Sequence, residues 1–168
     1  MTMMRAVCRL VVLTLLACGA ARAAEGPLYI PASIPIADGA DINPEHLADC
    51  PLQKDFADTL HRSLRAFGPQ QVEGALDTSR KGRVLQVEIQ DLSNSGNGFI
   101  GWQTYIRLRG TLYQDGRKVA AFHDRAQVPG EWTTACRQIR VALRGEAYYI
   151  RKWMEAPVDG AKLKHIGE

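Results

Sequence analysis

From Gly82 the chain reads GRVLQVEIQDL, in which Leu85, Val87 and Ile89 alternate with Gln86, Glu88 and Gln90. A period of two residues puts the three apolar side chains on one face of a strand and the polar ones on the other. The pattern returns in TYIRLRGTLY, with Ile106, Leu108 and Leu112 on one side and Tyr105, Arg107, Arg109, Thr111 and Tyr113 opposite. Asp115-Gly116 suits a tight hairpin turn, and RKVAAFHDRAQV supplies the returning strand, closed by Pro129-Gly130. A sheet of this kind has one apolar face that must be covered and one face left to water. That requirement narrows the fold more than any other feature of the chain.

Two segments have the periodicity to cover the apolar face. The first carries Leu52, Phe56, Leu60, Leu64 and Phe67 at helical spacing. Pro51 fits its first turn, Asp49 and Asp55 favour its positive end, and Gly68-Pro69 stops it. The second carries Cys136, Ile139, Leu143, Ala147, Ile150 and Met154, with Thr133 or Thr134 as cap and Pro157 and Gly160 as terminators. The predicted fold class is therefore α+β: a two-layer sandwich in which an antiparallel-rich sheet carries two amphipathic helices on one face. Residues 50–168 form a single domain of ordinary size.

Ahead of it, residues 24–49 form a Pro-rich arm. Its apolar residues Leu28, Ile30, Ile34 and Ile36 are interrupted by Pro27, Pro31 and Pro35, which permits at most an edge strand. The arm either packs on the domain in extended form or remains a disordered tether. At the other end VDGAKLKHIGE has no period and is read as frayed or partly packed.

Residues 1–23 have the order of a secretory signal: Arg5 and Arg9, an apolar run from Leu10 to Ala17, and the small-residue stretch Ala21-Arg22-Ala23. Cleavage after Ala23 is the preferred reading. The run is about half of the roughly 20 residues that span a bilayer, which disfavours a retained transmembrane helix. A rival pattern is LLACG, which matches a bacterial lipobox and would place a lipid on Cys18. Both predict export to the periplasm or beyond, with membrane attachment only if Cys18 is lipidated. Of 21 Lys+Arg and 18 Asp+Glu, three arginines and no acid lie in residues 1–23, so the remainder carries 18 of each. A neutral exported chain gives no support to nucleic-acid binding, which needs a clustered positive field.

Cys8 and Cys18 fall within the leader, so cleavage leaves Cys50 and Cys136, an even pair in an oxidising compartment. A disulfide is the economical expectation, and it would hold the first turns of the two helices at the same end. A reactive thiol is the alternative, because a helix N-terminus lowers a thiol's pKa. It lacks a C-x-x-C pattern or an accompanying His or Asn motif.

The sequence VLQVEIQDL, a Gly/Asn loop, YIRLRGTLYQDGRKVAAF and a C-terminal amphipathic helix, after an exported first helix, together resemble small bacterial envelope domains of the TolB N-terminal, CsgG and LpoB groups. The likeness spans about residues 50–155 and lies in element order and hairpin texture. It implies an α/β envelope domain and brings no catalytic motif.

No catalytic, cofactor-binding or metal-ligating set emerges from the residues themselves. His46, His61, His123 and His165 are not at metal-ligand spacing, and His123-Asp124 reads as a surface pair. Glycines in SNSGNGFIG lie between two strands, where no helix N-terminus awaits a phosphate. Two features are candidate partner-binding sites. One is the loop from Ser93 to Trp102, tipped with Phe99, Ile100 and Trp102. The other is the wet strand face with Tyr105, Arg107, Arg109 and Tyr113, residue types enriched in protein interfaces. The expectation is an exported, non-enzymatic binding or assembly accessory protein whose partner is another envelope protein, with no cofactor. The alternative is a periplasmic inhibitor or immunity protein that blocks an enzyme.

Overall fold

The structure is a computed structural model that describes residues 26–42, 50–97, 99, 101–128 and 134–163. The leader, Cys18 and Ala24 therefore lie outside the described residues, as do His46, Asp49, Pro129-Gly130, Thr133 and His165. In chain order the elements are β1 (Leu28–Pro31), β2 (Ile36–Ile42), α1 (Leu52–Ser63), a 3-10 turn (Arg65–Phe67) and β3 (Pro69–Val72). There follow β4 (Arg83–Asn97), β5 (Gly101–Gln114), β6 (Arg117–Val128), α2 (Ala135–Glu155) and β7 (Ala161–Lys162).

The described strands form one seven-stranded mixed sheet in the order β3-β1-β4-β5-β6-β7, with β2 also paired to β4. Its centre is the antiparallel meander expected from the alternation. Leu85 pairs with Leu112 and Ile89 with Leu108 across β4 and β5, and Leu112 pairs with Ala120 across β5 and β6. Asp115 and Gly116 both have positive φ, 50° and 81°, so the turn between β5 and β6 has the backbone sign that an Asp-Gly pair favours. The two helices cover the apolar face, α1 packing on β1 and β3 while α2 packs on β5 and β6. The expected α+β sandwich is the architecture found.

Prolines in the arm do not confine it to an edge. β1 lies between β3 and β4 and is parallel to both. The missing N–H groups fall where the ladder has no use for them. Pro27 precedes the strand and its carbonyl accepts from Arg83 N–H at 2.9 Å; Pro31 ends it; Pro35 accepts from Ile89 N–H at 3.0 Å. Leu28, Ile30 and Ile34 are completely buried. Within the arm the edge strand is β2, which lies off the main strand order and whose ladder with β4 shifts register between Ile36 and Asp41.

The core also takes residues outside both predicted stripes. Trp153 is fully buried and meets Phe122 edge to face at 4.9 Å between centroids, while its indole N–H donates to Val158 O at 3.0 Å. Phe122 can lie there because its partner in β5 is Gly110: a β-carbon at that position would collide with the ring. In the tail Leu163 is fully buried and β7 pairs with Phe122 and His123, so that segment is packed as far as it is described.

Cys50 and Cys136 are joined, with Cα atoms 5.9 Å apart. Cys50 stands just before α1 and Cys136 is the second residue of α2, so the bridge ties the two helix starts as expected. Along the pair, Asp55 meets Arg140 at 2.7 Å and Ser63 Oγ donates to Ala147 O at 2.9 Å. Equivalent positions advance together, and α1 and α2 are parallel.

Candidate binding surface

β5 has a helix-covered face and an open one, and a two-residue period sorts its side chains between them. Ile106, Leu108 and Leu112 are buried beneath the helices. Tyr105, Arg107, Arg109, Thr111 and Tyr113 share the open face, with the two arginines the most exposed of them. The four residues singled out from the alternation are therefore brought together on one surface.

Register supplies neighbours that a single strand pattern could not. Arg107 sits opposite Arg125, Arg109 opposite His123 and Tyr105 opposite Gln127 on β6. On β4, Glu88 faces Arg109 and Asp91 faces Arg107, the latter displaced by a bulge at Gln90. Each arginine is paired with its facing acid: Arg107 with Asp91 at 3.1 Å and Arg109 with Glu88 at 2.6 Å. Both pairs are half exposed, where such bridges contribute about 0–1 kcal/mol. Their effect is to fix where the two guanidinium groups sit on the sheet. Arg125 has no ion-pair partner among the described residues. Gln103 gathers the upper end, its Oε1 accepting from Tyr105 Oη at 2.9 Å and from Gln127 Nε2 at 3.4 Å.

The lower end of this face is closed. Arg80, in the connection from β3 to β4, stacks on Tyr29 at 4.4 Å, and Val84, paired with both Tyr29 and Tyr113, is fully buried. What remains open runs from Gln86 to Gln127 across three strands. His123 and Arg125, on β6, are additions that the β5 pattern does not contain; their alternation with Phe122, Asp124 and Ala126, all buried, was the available signal.

Two expectations change here. His123 and Asp124 are not a surface pair, since His123 is exposed on the open face while Asp124 is buried on the other, 5% exposed. Adjacent residues in a strand point to opposite faces. The stretch from Ser93 to Trp102 is not a loop for most of its length. Ser93 pairs with Tyr105 and Asn97 with Gly101, so β4 and β5 continue as a hairpin to its tip. Small polar residues lower strand propensity, but a ladder already registered below them extends at little further cost. Phe99 stands at that tip, 88% exposed. Ile100 and the Trp102 side chain lie outside the described residues.

Among the described residues no three His, Cys, Asp or Glu side chains gather as a metal site, and no helix is long and apolar enough to cross a membrane. No family model and no curated protein matches the chain. Similar solved structures include a minor lipoprotein from Acinetobacter baumannii, 13% identical with a TM-score of 0.47, covering 79% of this chain and 94% of that one. A Xanthomonas campestris protein of family DUF330 is 14% identical, with a TM-score of 0.48 over 78% of this chain and 83% of its own. A neuraminyllactose-binding hemagglutinin homologue from Helicobacter pylori is 13% identical, with a TM-score of 0.39 over 76% and 81%.

Proposed function

We propose that this chain is an exported, non-enzymatic binding or assembly protein of the bacterial envelope, and that it meets another envelope protein through the open sheet face. The observation that carries the reading is the composition of that face: Tyr105, Arg107, Arg109, His123 and Arg125 share one uncovered surface, with Tyr113 half-buried at its closed lower end. Tyr and Arg offer large contact area with a polar end and dominate interface energetics. Export is supported by the leader pattern and by a cysteine bridge suited to an oxidising compartment. The likeness to TolB N-terminal, CsgG and LpoB domains belongs to the same proposal. The periplasm is the proposed location, with anchoring through Cys18 as the alternative.

Co-purification from native envelope extract tests it. A defined partner should travel with the wild-type chain and be lost with Arg107→Ala/Arg109→Ala, each substitution weakening association by about 1 kcal/mol or more. Full retention of every partner by the double variant would sink the proposal.

The inhibitor reading is favoured by one observation, the exposed Phe99 at the end of a long paired hairpin. A projecting aromatic is a shape that enters a cleft. Recovery of a hydrolase or toxin, released by Phe99→Ala and not by the arginine changes, would select it.

A further inference from the structure

Parallel packing of α1 on α2 leaves a groove floored by Leu143 and lined by Arg62 from α1 and Arg137, Arg140 and Arg144 from α2, against Asp55 and Asp58. Both acids already have cations. Asp55 pairs with Arg140 at 2.7 Å. Asp58 pairs with Lys54 at 3.5 Å and accepts from Gln71 at 3.3 Å, a hydrogen bond that leads in holding its carboxyl below the usual range. Three arginines form no close ion pair among the described residues, although Arg62 lies near enough to Asp58 for its charge to act there. Arg62 donates to the neutral Thr59 hydroxyl at 3.0 Å, while Arg137 and Arg144 have no ion-pair partner among the described residues. Since residues 24–168 carry 18 cations and 18 anions, this is a local positive field in a neutral chain.

Arg137 and Arg144 are two turns apart on one face of α2. Val141 lies between them and Tyr148 one turn beyond, 38% and 49% exposed, with Arg151 stacked on the tyrosine ring at 5.3 Å. Cations are thereby interleaved with exposed apolar groups along one helix face. This is the pattern of a helix lying against an anionic lipid surface.

We propose that the groove between α1 and α2 seats the phosphate of an anionic phospholipid headgroup, held by Arg62, Arg137 and Arg144, with Val141 and Tyr148 at the level of the headgroups. The planar fork of each guanidinium matches phosphate oxygens two at a time, so several arginines around one groove favour a phosphate over a single carboxylate. The helix layer lies opposite the open sheet face, so a molecule resting on lipid by its helices presents its Tyr/Arg surface away from the membrane.

The test is sedimentation of the oxidised, exported chain with vesicles of phosphatidylcholine alone or of phosphatidylcholine mixed with phosphatidylglycerol, at low ionic strength. An acyl anchor on Cys18 would act equally on both, so the difference reports the groove. Partition should be greater on the anionic vesicles. Arg137→Gln/Arg144→Gln should reduce it about 25-fold, two surface cations at roughly fivefold each, with the melting temperature unchanged. Arg107→Gln/Arg109→Gln, on the other side of the molecule, should leave it unaltered. Equal partition onto both vesicle types, or equal loss from both double variants, overturns the proposal. So does saturable binding of inorganic phosphate or of polyglutamate without a vesicle preference, which would assign the groove to a free anion or to an acidic protein segment.

Discussion

Leu108 and Arg109 are neighbours with opposite fates, and substitutions separate what each contributes. Leu108 is completely buried, so Leu108→Ala leaves a cavity and should cost about 2–5 kcal/mol in urea unfolding. Arg107→Ala and Arg109→Ala remove half-exposed ion pairs and should each shift stability by no more than about 0.5 kcal/mol. A smaller change has a larger effect at Gly110: the added methyl of Gly110→Ala meets the Phe122 ring and should destabilise by about 1–3 kcal/mol, read as a lowered thermal midpoint. The turn residue Asp115 brings a pH dependence. Hydrogen bonds from the Gln114 side chain and then from Gly82 N–H hold its carboxyl below the usual range. A lowered folded pKa means the contribution is present above the unfolded value near pH 4 and lost as pH falls through the folded one. Urea midpoints measured from pH 5 down to pH 2 should fall, and Asp115→Asn should flatten part of that fall.

At the scale of elements, β1 has an influence out of proportion to its four residues. It is the strand through which β3 joins the meander, and Leu28 and Ile30 from it, with Ile34 beyond, are wholly buried under α1 and its surroundings. Each such side chain is worth about 2–5 kcal/mol, so the three together approach the 5–15 kcal/mol margin of a whole domain. A chain beginning at Ile36 should therefore lose its cooperative thermal transition, while one beginning at Gly26 should keep it; calorimetry distinguishes the two. The long β4–β5 hairpin behaves differently. Past Leu92 it has left β2 behind, and its tip carries exposed Phe99, so substitutions there should alter binding with little effect on the core.

For the molecule as a whole, the bridge between Cys50 and Cys136 determines how the helix layer responds to stress. It closes a loop with a sequence separation of 86 residues, and in the chain-entropy model constraining the unfolded state by that much contributes about 4–5 kcal/mol. Reduction, or paired Cys50→Ser and Cys136→Ser, should lower the unfolding free energy obtained from urea melts by an amount in that range, and the midpoint with it, without removing the sheet's circular dichroism signal. An unchanged midpoint would mean the helices need no tie. Because the bridge links helix starts that run parallel, it also fixes the groove in which Arg62 stands across from Arg144, so reduction should loosen that groove before it disturbs the open sheet face.

The residues alone determined what repeats locally. Alternation in Leu85, Val87 and Ile89 assigned faces, helical spacing of Leu52, Phe56 and Leu60 assigned a covering layer, and Asp115-Gly116 assigned a turn, because each signal is complete within one element. Tertiary structure alone decided matters that depend on partners distant in the chain. PQQV has no strand period of its own and becomes β3 only because β1 offers it a parallel ladder. The Pro-interrupted arm enters the interior because its prolines fall where neighbouring strands need a carbonyl and not an N–H. Arg125 joins Arg107, and Arg62 faces Arg144, through register and helix packing that no spacing in sequence encodes. Local pattern sets which face a side chain occupies; pairing between remote segments sets what that face will meet.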